Sequence, residues 1–210
     1  MRTLGRQVRS ARLGVLLVGD LSQARGGRAT GGHASHQTGL DVDLWYWQPE
    51  RARATLSPEE RETLPAPSAL APGGEALAPA LRSRVQKLLA LTAEDPRVER
   101  VFVHPVITRE LCEASRARSE AERAWLRKIR PWYGHDDHFH VRLACLREDA
   151  ECAPQAKLPP GDGCDKLAFW FDKAAQDERK EARKQYQKTV IEGRGWPERC
   201  DALLEPAPRI

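Results

Sequence analysis

The sequence lacks three patterns that would each have pointed to a particular class of protein. Its five cysteines include no C-x-x-C pair, which argues against a zinc ribbon or a zinc finger. It has no H-E-x-x-H motif, which argues against a zinc site carried on a single helix. No apolar run approaches the ~20 residues that a membrane-spanning helix needs. We therefore expect no membrane span.

An excess of one charge is also missing. The chain of 210 residues has 34 Lys and Arg against 30 Asp and Glu, a formal net charge of +4. Acids and bases alternate in residues 176–184, so this segment is interpreted as a solvated helix face rather than a nucleic-acid-binding arm. We expect no nucleic-acid partner, and a single domain, since domains usually run ~100–200 residues.

The cysteines and the start of the chain give information about the cellular compartment in which the protein folds. Five cysteines without metal spacing suggest disulfides formed in an oxidising compartment, and the odd number leaves one thiol without a partner. The first twelve residues are basic and lead into a short apolar run, residues 13–18. Because no small-residue cleavage site follows, this run is interpreted as a buried strand rather than part of an export signal.

Hydrophobic periodicity predicts an α+β fold. Further strands are expected at residues 40–47, 98–103 and 138–143, and helices at residues 80–92, 108–116, 121–129 and 165–173. Residues 49–79 are interpreted as a long surface insertion outside the core, with a helical turn near Ser57. The predicted fold is a small, mainly antiparallel sheet of about four strands, flanked by helices, with a loop- and helix-rich C-terminal extension.

Five of the six histidines fall in two short clusters. The first cluster holds His33 and His36, and the second holds His135, His138 and His140. Aspartates lie within or directly after both clusters, and this density favours a metal site over ordinary packing. His104 lies outside the clusters and is interpreted as a structural residue.

A catalytic zinc needs three protein ligands and an open position for water, whose pKa it lowers to ~7. His36, Asp43 and His140 can supply these ligands. Residues two apart on a strand point the same way, so His138 would lie beside His140 and act as a base or an electrophilic partner. His135 precedes the strand and can stabilise charge on a tetrahedral intermediate from the other side.

Four stretches of the sequence resemble one known family. They are residues 31–43, 125–132, 138–143 and 159–164. Here the chain resembles the penicillin-insensitive murein endopeptidases, a branch of the zinc metallopeptidase group that includes lysostaphin-type and D-Ala-D-Ala peptidases and the hedgehog signalling domain. The resemblance runs from about residue 14 to residue 204. It implies zinc-dependent cleavage of the D-alanyl to meso-diaminopimelyl cross-link of peptidoglycan in the periplasm.

The resemblance also implies roles for individual residues. Zinc would be held by His36, Asp43 and His140, with His33 as a less certain ligand and with His138 and His135 assisting catalysis. Asp41 would support the site rather than bind metal. Arg25 and Arg28, on a glycine-rich loop, are candidates for binding a substrate carboxylate. One zinc is expected, because residues 49–79 contain no histidine that would hold a second.

The family pattern extends to the cysteines and to the organisation of the chain. It pairs Cys112 with Cys164 and Cys145 with Cys152, and it leaves Cys200 without a partner. Relatives carry a leading segment with an export signal and a cysteine, so a late start of this chain is expected. Residues 1–146 would then form the zinc metallopeptidase core, and residues 147–210 a disulfide-linked extension packed on the same domain.

Two other functions stay open at this point. A D,D- or L,D-carboxypeptidase on the same scaffold would differ in whether the cleft is open at both ends. A non-catalytic, zinc-containing module that binds the cell wall would keep the metal without activity. The presence of both His138 and His135 argues against this second alternative.

Overall fold

The computed structural model of the protein describes residues 2–22, 26, 35–47 and 56–191. In chain order these contain α1 (Arg2–Ser10), β1 (Val18–Leu21), β2 (Asp41–Trp45), α2 (Pro58–Thr63), α3 (Pro79–Glu94), β3 (Val98–Val103), α4 (Pro105–Ala114), α5 (Glu120–Arg123), β4 (Ile129–Pro131), β5 (His138–Leu143), α6 (Ala168–Phe171) and α7 (Lys173–Ile191). The same residues also contain short 3₁₀ helices at Ala124–Lys128 and Cys164–Lys166. None of the helices in these ranges combines the length and the hydropathy needed to cross a membrane.

The strands form one sheet in the order β1-β2-β5-β3-β4. Every neighbouring pair is antiparallel except β3 and β4. The α+β prediction with a mainly antiparallel sheet is confirmed, although the described part of the sheet has five strands rather than about four. The extra strand, β4, has three residues and ends at Pro131. Proline is tolerated there because an edge strand does not need the missing N–H.

The two faces of the sheet differ in polarity because successive side chains on a strand alternate sides. Toward α3, the strands present apolar side chains that are fully or almost fully buried: Val42, Leu44, Val101, Val103, Phe139 and Val141. The helix buries Val85, Leu88 and Leu89 at helical spacing against them. The other face carries Asp41, Asp43 and His140, so packing of the apolar face fixes where these polar groups lie.

The predicted strand at residues 13–18 is wrong. The strand begins only at Val18, and its residues are exposed, because β1 is an edge strand that pairs with β2 alone among the described residues. The basic segment before it forms α1, whose Leu4 and Val8 enter the core. Sequence interpretation followed the apolar run and missed this helix, in which two apolar side chains one turn apart are enough for burial.

The prediction that residues 49–79 lie outside the core is also wrong in its described part. α2 is exposed, but Ala69 and Leu77 are fully buried. The backbone N–H of Ala69 donates to the carbonyl of Asp136 at 2.6 Å, which attaches this segment beside β5. Likewise, the single helix predicted at residues 121–129 is replaced by α5 and a 3₁₀ helix.

Two disulfides hold the last third of the described chain. Cys112 in α4 is bonded to Cys164, and Cys145 to Cys152, the pairs that the resemblance implies. An ion pair of 3.1 Å between Arg123 and Asp162 adds to the first connection. Cys200 lies outside the described residues, and the boundary between residues 146 and 147 stays a prediction. The segment 176–184 lies on α7 and is mostly exposed, as the solvated-face interpretation expects.

The Cys112–Cys164 disulfide is expected to contribute more stability than the Cys145–Cys152 disulfide. The first closes a separation of 52 residues and the second one of 7 residues, so their removal should cost about 4 and about 2 kcal/mol of unfolding free energy. Urea unfolding of the double variants Cys112→Ser/Cys164→Ser and Cys145→Ser/Cys152→Ser tests this. Equal losses would contradict it.

Candidate metal centre

Three side chains bring one ligand atom each to a single point on the polar face of the sheet. His36 Nε2 lies 3.2 Å from Asp43 Oδ1, His140 Nδ1 lies 3.1 Å from Asp43 Oδ1, and the two nitrogens are 3.1 Å apart. Zinc bonds of ~2.0–2.1 Å in a tetrahedron place ligand atoms about 3.3 Å apart. The triangle therefore has the size of one face of a zinc coordination tetrahedron.

Backbone geometry explains how these residues meet. Asp43 on β2 and His140 on β5 are register partners, so their side chains stand next to each other on the same face. His36 lies in the loop before β2 with a φ of 64°, the left-handed region that residues other than glycine rarely adopt. Its backbone N–H donates to Asp41 Oδ2 at 3.3 Å, which helps to hold the turn that brings the ring to the strands.

Asp41 sets the tautomer of His140. A carboxylate can only accept, so His140 donates its Nε2–H to Asp41 Oδ1 at 2.7 Å and keeps the lone pair of Nδ1 for the triangle. Arg142 donates from Nε to the same oxygen. Burial would raise the pKa of Asp41, but the hydrogen bonds from His140 and Arg142 outweigh this and lower it, so the carboxylate stays charged.

The donor set suits a cation. His140 Nδ1 offers a lone pair, Asp43 Oδ1 belongs to a carboxylate, and His36 Nε2 has at most one hydrogen to share between these two atoms. Burial opposes charge on Asp43, yet the adjacent imidazoles of His140 and His36 hold the pKa of this carboxyl far below its usual range. Two imidazole nitrogens and one carboxylate oxygen are the ligand types that zinc takes in proteins.

His138 lies beside this group without belonging to it. Its Nε2 is 3.7 Å from Asp43 Oδ2, and its Nδ1 is hydrogen-bonded to Asp137 Oδ1. Because Asp137 accepts, the hydrogen is on Nδ1, and Nε2 faces the site. Burial lowers the pKa of His138, but the hydrogen bond to Asp137 and the charge of Asp43 reverse this and raise it above its ordinary value.

His135 lies on the other side of His138. The ring centroid of His135 lies 4.9 Å from that of His138 and 6.0 Å from that of His140. Its Nδ1 is 3.2 Å from the carbonyl oxygen of Tyr133, which only accepts, so the hydrogen is on Nδ1 and Nε2 carries a lone pair. Burial, with a smaller effect of His138, lowers the pKa of His135 to about 4, which keeps the ring neutral at pH 7.

Aromatic rings continue from the metal group along the same face. The ring of Phe102 is 5.4 Å from that of His140, and the ring of Trp132 is 6.3 Å from that of Phe102. Trp132 is 52% exposed. It also lies 6.0 Å from Trp170, so one side of the polar group is an apolar wall open to solvent.

The structure brings together five of the residues that sequence interpretation selected, namely His36, Asp43, His135, His138 and His140. His33, Arg25 and Arg28 lie outside the described residues. His104 is the N-cap of α4, as its structural interpretation expects. Sequence interpretation missed Asp137 and Arg142, although strand alternation places Arg142 on the same face as His138 and His140.

The fold and the site define an α+β protein with a candidate metal centre on a mostly antiparallel sheet. The family model of the penicillin-insensitive murein endopeptidases matches residues 1–205. The chain therefore belongs to this family of peptidases. The family predicted from the four sequence stretches is confirmed.

Individual relatives agree with the family model. A penicillin-insensitive murein endopeptidase of Klebsiella pneumoniae subsp. pneumoniae is 41% identical over 177 residues, covering 82% of this chain and 61% of the relative. One of Yersinia enterocolitica is 42% identical over 164 residues, covering 76% of this chain and 56% of the relative. The matched part is thus less than two thirds of the length of either relative.

Proposed function

We propose that the chain is a zinc-dependent murein endopeptidase that hydrolyses D-alanyl to meso-diaminopimelyl cross-links of periplasmic peptidoglycan. The observation that carries the proposal is the buried triangle of His36, Asp43 and His140, with edges of 3.1 and 3.2 Å. The choice of murein as substrate follows family membership, since the relatives are named for it. The choice of this cross-link rests on the four stretches that resemble the family.

A zinc ion held by these three residues would polarise the scissile carbonyl and lower the pKa of water to ~7. His138 then takes the proton of the attacking water at Nε2 and gives it to the leaving amine. Asp137 stabilises the imidazolium by its hydrogen bond to Nδ1, as the raised pKa of His138 indicates.

His135 has a different role in this scheme. Since its Nδ1–H is directed to the carbonyl of Tyr133 and its ring is neutral, Nε2 accepts a hydrogen bond. It orients an O–H or N–H group at the reacting centre. Sequence interpretation suggested that His135 stabilises negative charge, whereas this tautomer favours orientation of a donor.

Muropeptide analysis tests the proposed function. Purified cross-linked peptidoglycan is incubated with the zinc-loaded chain, with a chelated sample, and with a chelated sample reloaded with zinc. Conversion of dimers to monomers in the first and third samples alone is the expected result. Loss of terminal D-alanine with dimers intact would indicate a carboxypeptidase instead, and unchanged muropeptides despite bound zinc would indicate a binding module.

Arg142 is expected to act on the metal through Asp41. Removing the guanidinium in Arg142→Ala frees Asp41 and loosens the ring of His140, so zinc affinity should fall about 10- to 100-fold, as for other residues that orient metal ligands. Competition with a zinc-binding dye measures this. Arg100, the register partner of Arg142, hydrogen-bonds Gln155 instead, so Arg100→Ala is the matched control and should leave zinc affinity unchanged.

A further inference from the structure

A cavity of about 480 Å³ is lined by residues that contact the segment around His135. Its lining includes Glu75, His104, Arg109, Tyr133, Phe171 and Gln176. These residues come from a loop, from α4 and its N-cap, from the segment after β4, and from α6 and α7. The cavity therefore lies where the C-terminal helices meet the body that carries the sheet.

The link between the cavity and the metal centre is His135. The backbone N–H of His104 donates to the carbonyl of His135 at 2.9 Å, and the ring of His135 donates to the carbonyl of Tyr133 at 3.2 Å. Both His104 and Tyr133 line the cavity. A substrate arm that extends from the metal centre past His135 would therefore approach the residues that line this cavity.

Arg109 gives the cavity a fixed positive group. Its guanidinium carbon lies 4.5 Å from the centroid of Phe171, and one N–H group donates to the carbonyl of Glu75. Within the described ranges, Arg109 forms no ion pair with a carboxylate, so most of its five donors remain for a ligand. The N-terminus of α4, a helix of 10 residues, adds partial positive charge at His104 and Val106.

Two acidic residues lie at or near the cavity. Glu75 is part of its lining, and Asp136 is close enough to act electrostatically on His104. Such a mixed lining fits a zwitterionic group better than a polyanion, because a polyanion would be repelled by these carboxylates. A free carboxylate would pair with Arg109, and a neighbouring ammonium with Glu75.

We propose that this cavity binds the free amino acid head of a diaminopimelyl side chain in the peptide stem, with Arg109 as the carboxylate contact. The inference rests on the proposed function, since that function supplies the substrate. The head group carries a carboxylate and an amine on one carbon, the two charges that the lining offers to pair. Arg109 then determines which stems are bound and does not touch the reacting atoms.

Kinetics with two synthetic cross-linked peptides test this inference. One peptide keeps the free carboxylate of the diaminopimelyl head, and in the other this group is amidated. Arg109→Gln should raise KM for the free peptide about 10- to 100-fold with kcat little changed, the size expected for a charge-assisted hydrogen bond. Amidation of the peptide should raise KM by the same factor in the native chain and should not raise KM further in Arg109→Gln.

Arg179→Gln is the matched control. Arg179 also stacks over aromatic rings, 3.5 Å from the centroid of Trp170 and 4.3 Å from that of Phe169, but it does not line the cavity. The Arg179→Gln variant should keep the native preference for the peptide with the free carboxylate. An Arg109→Gln variant that discriminates the two peptides as the native chain does would overturn the inference while leaving the proposed function in place.

If the native chain cleaves neither peptide, the proposed function fails, and binding decides the inference separately. Isothermal titration of the full chain with uncrosslinked tetrapeptide stems, free or amidated, is the measurement. Tighter binding of the free stem that disappears in Arg109→Gln supports the cavity as the binding site. Equal binding of both stems to the native chain overturns it.

Discussion

Replacing Asp43 with asparagine should remove zinc from the chain and abolish hydrolysis of murein cross-links. The substitution keeps the shape of the side chain but removes the anionic oxygen that lies 3.1 Å from His140 Nδ1 and 3.2 Å from His36 Nε2. Removing a residue that only orients a metal ligand lowers the affinity for the metal about 10- to 100-fold. The loss of a ligand should exceed this range, and kcat/KM should fall in parallel.

Zinc content after dialysis, measured by atomic absorption, and kcat/KM on cross-linked muropeptides are the two readouts. Asp177→Asn is the matched control, because Asp177 lies on α7 with its side chain largely exposed. Circular dichroism of both variants separates metal loss from unfolding. An Asp43→Asn chain that binds zinc as tightly as the native chain would remove Asp43 from the ligand set.

The polar face of the site could be predicted because strand alternation is a short-range rule. Asp41 and Asp43 are two apart on one strand, and His138 and His140 on another, so each pair had to share a face. In the structure Asp43 lies opposite His140, and a slip of this pairing by one residue would send the apolar set to the wrong side of the sheet. Residue types and spacing were enough for the shared faces, whereas the pairing of β2 with β5 is a tertiary feature.

His36 illustrates what the sequence did not determine. Its place in the triangle depends on a left-handed φ of 64° and on a backbone hydrogen bond to Asp41, and neither follows from a pattern of residue types. Sequence interpretation selected His36 because it lies in a histidine cluster. The geometry that aims the ring is set by contacts with β2.

β4 and α1 were missed for a related reason. β4 has three residues, too few to show a period, and it is stabilised by parallel pairing with β3, which is distant in sequence. α1 depends on packing of Leu4 and Val8 against the rest of the core. The cavity that contains Arg109 is likewise a tertiary feature, since its lining spans residues 74–176.

His138→Ala should lower kcat about 10²- to 10⁴-fold and leave zinc content unchanged. This is the usual size of general acid–base catalysis by a positioned side chain. The zinc content should persist because His138 Nε2 lies 3.7 Å from Asp43 Oδ2, outside the triangle of ligand atoms. The muropeptide assay gives kcat, and atomic absorption gives the zinc content.

Asp137→Asn separates proton transfer from a merely structural role of His138. An amide at this position accepts a weaker hydrogen bond from Nδ1 and no longer stabilises the imidazolium, so the pKa of His138 should fall and kcat should drop less than in His138→Ala. The acidic limb of the kcat profile should then move to lower pH, because His138 acts as a base only when neutral. Two outcomes for His138→Ala would contradict these roles. Loss of zinc together with activity would place His138 among the metal ligands. Full activity of His138→Ala would show that His138 is not the base.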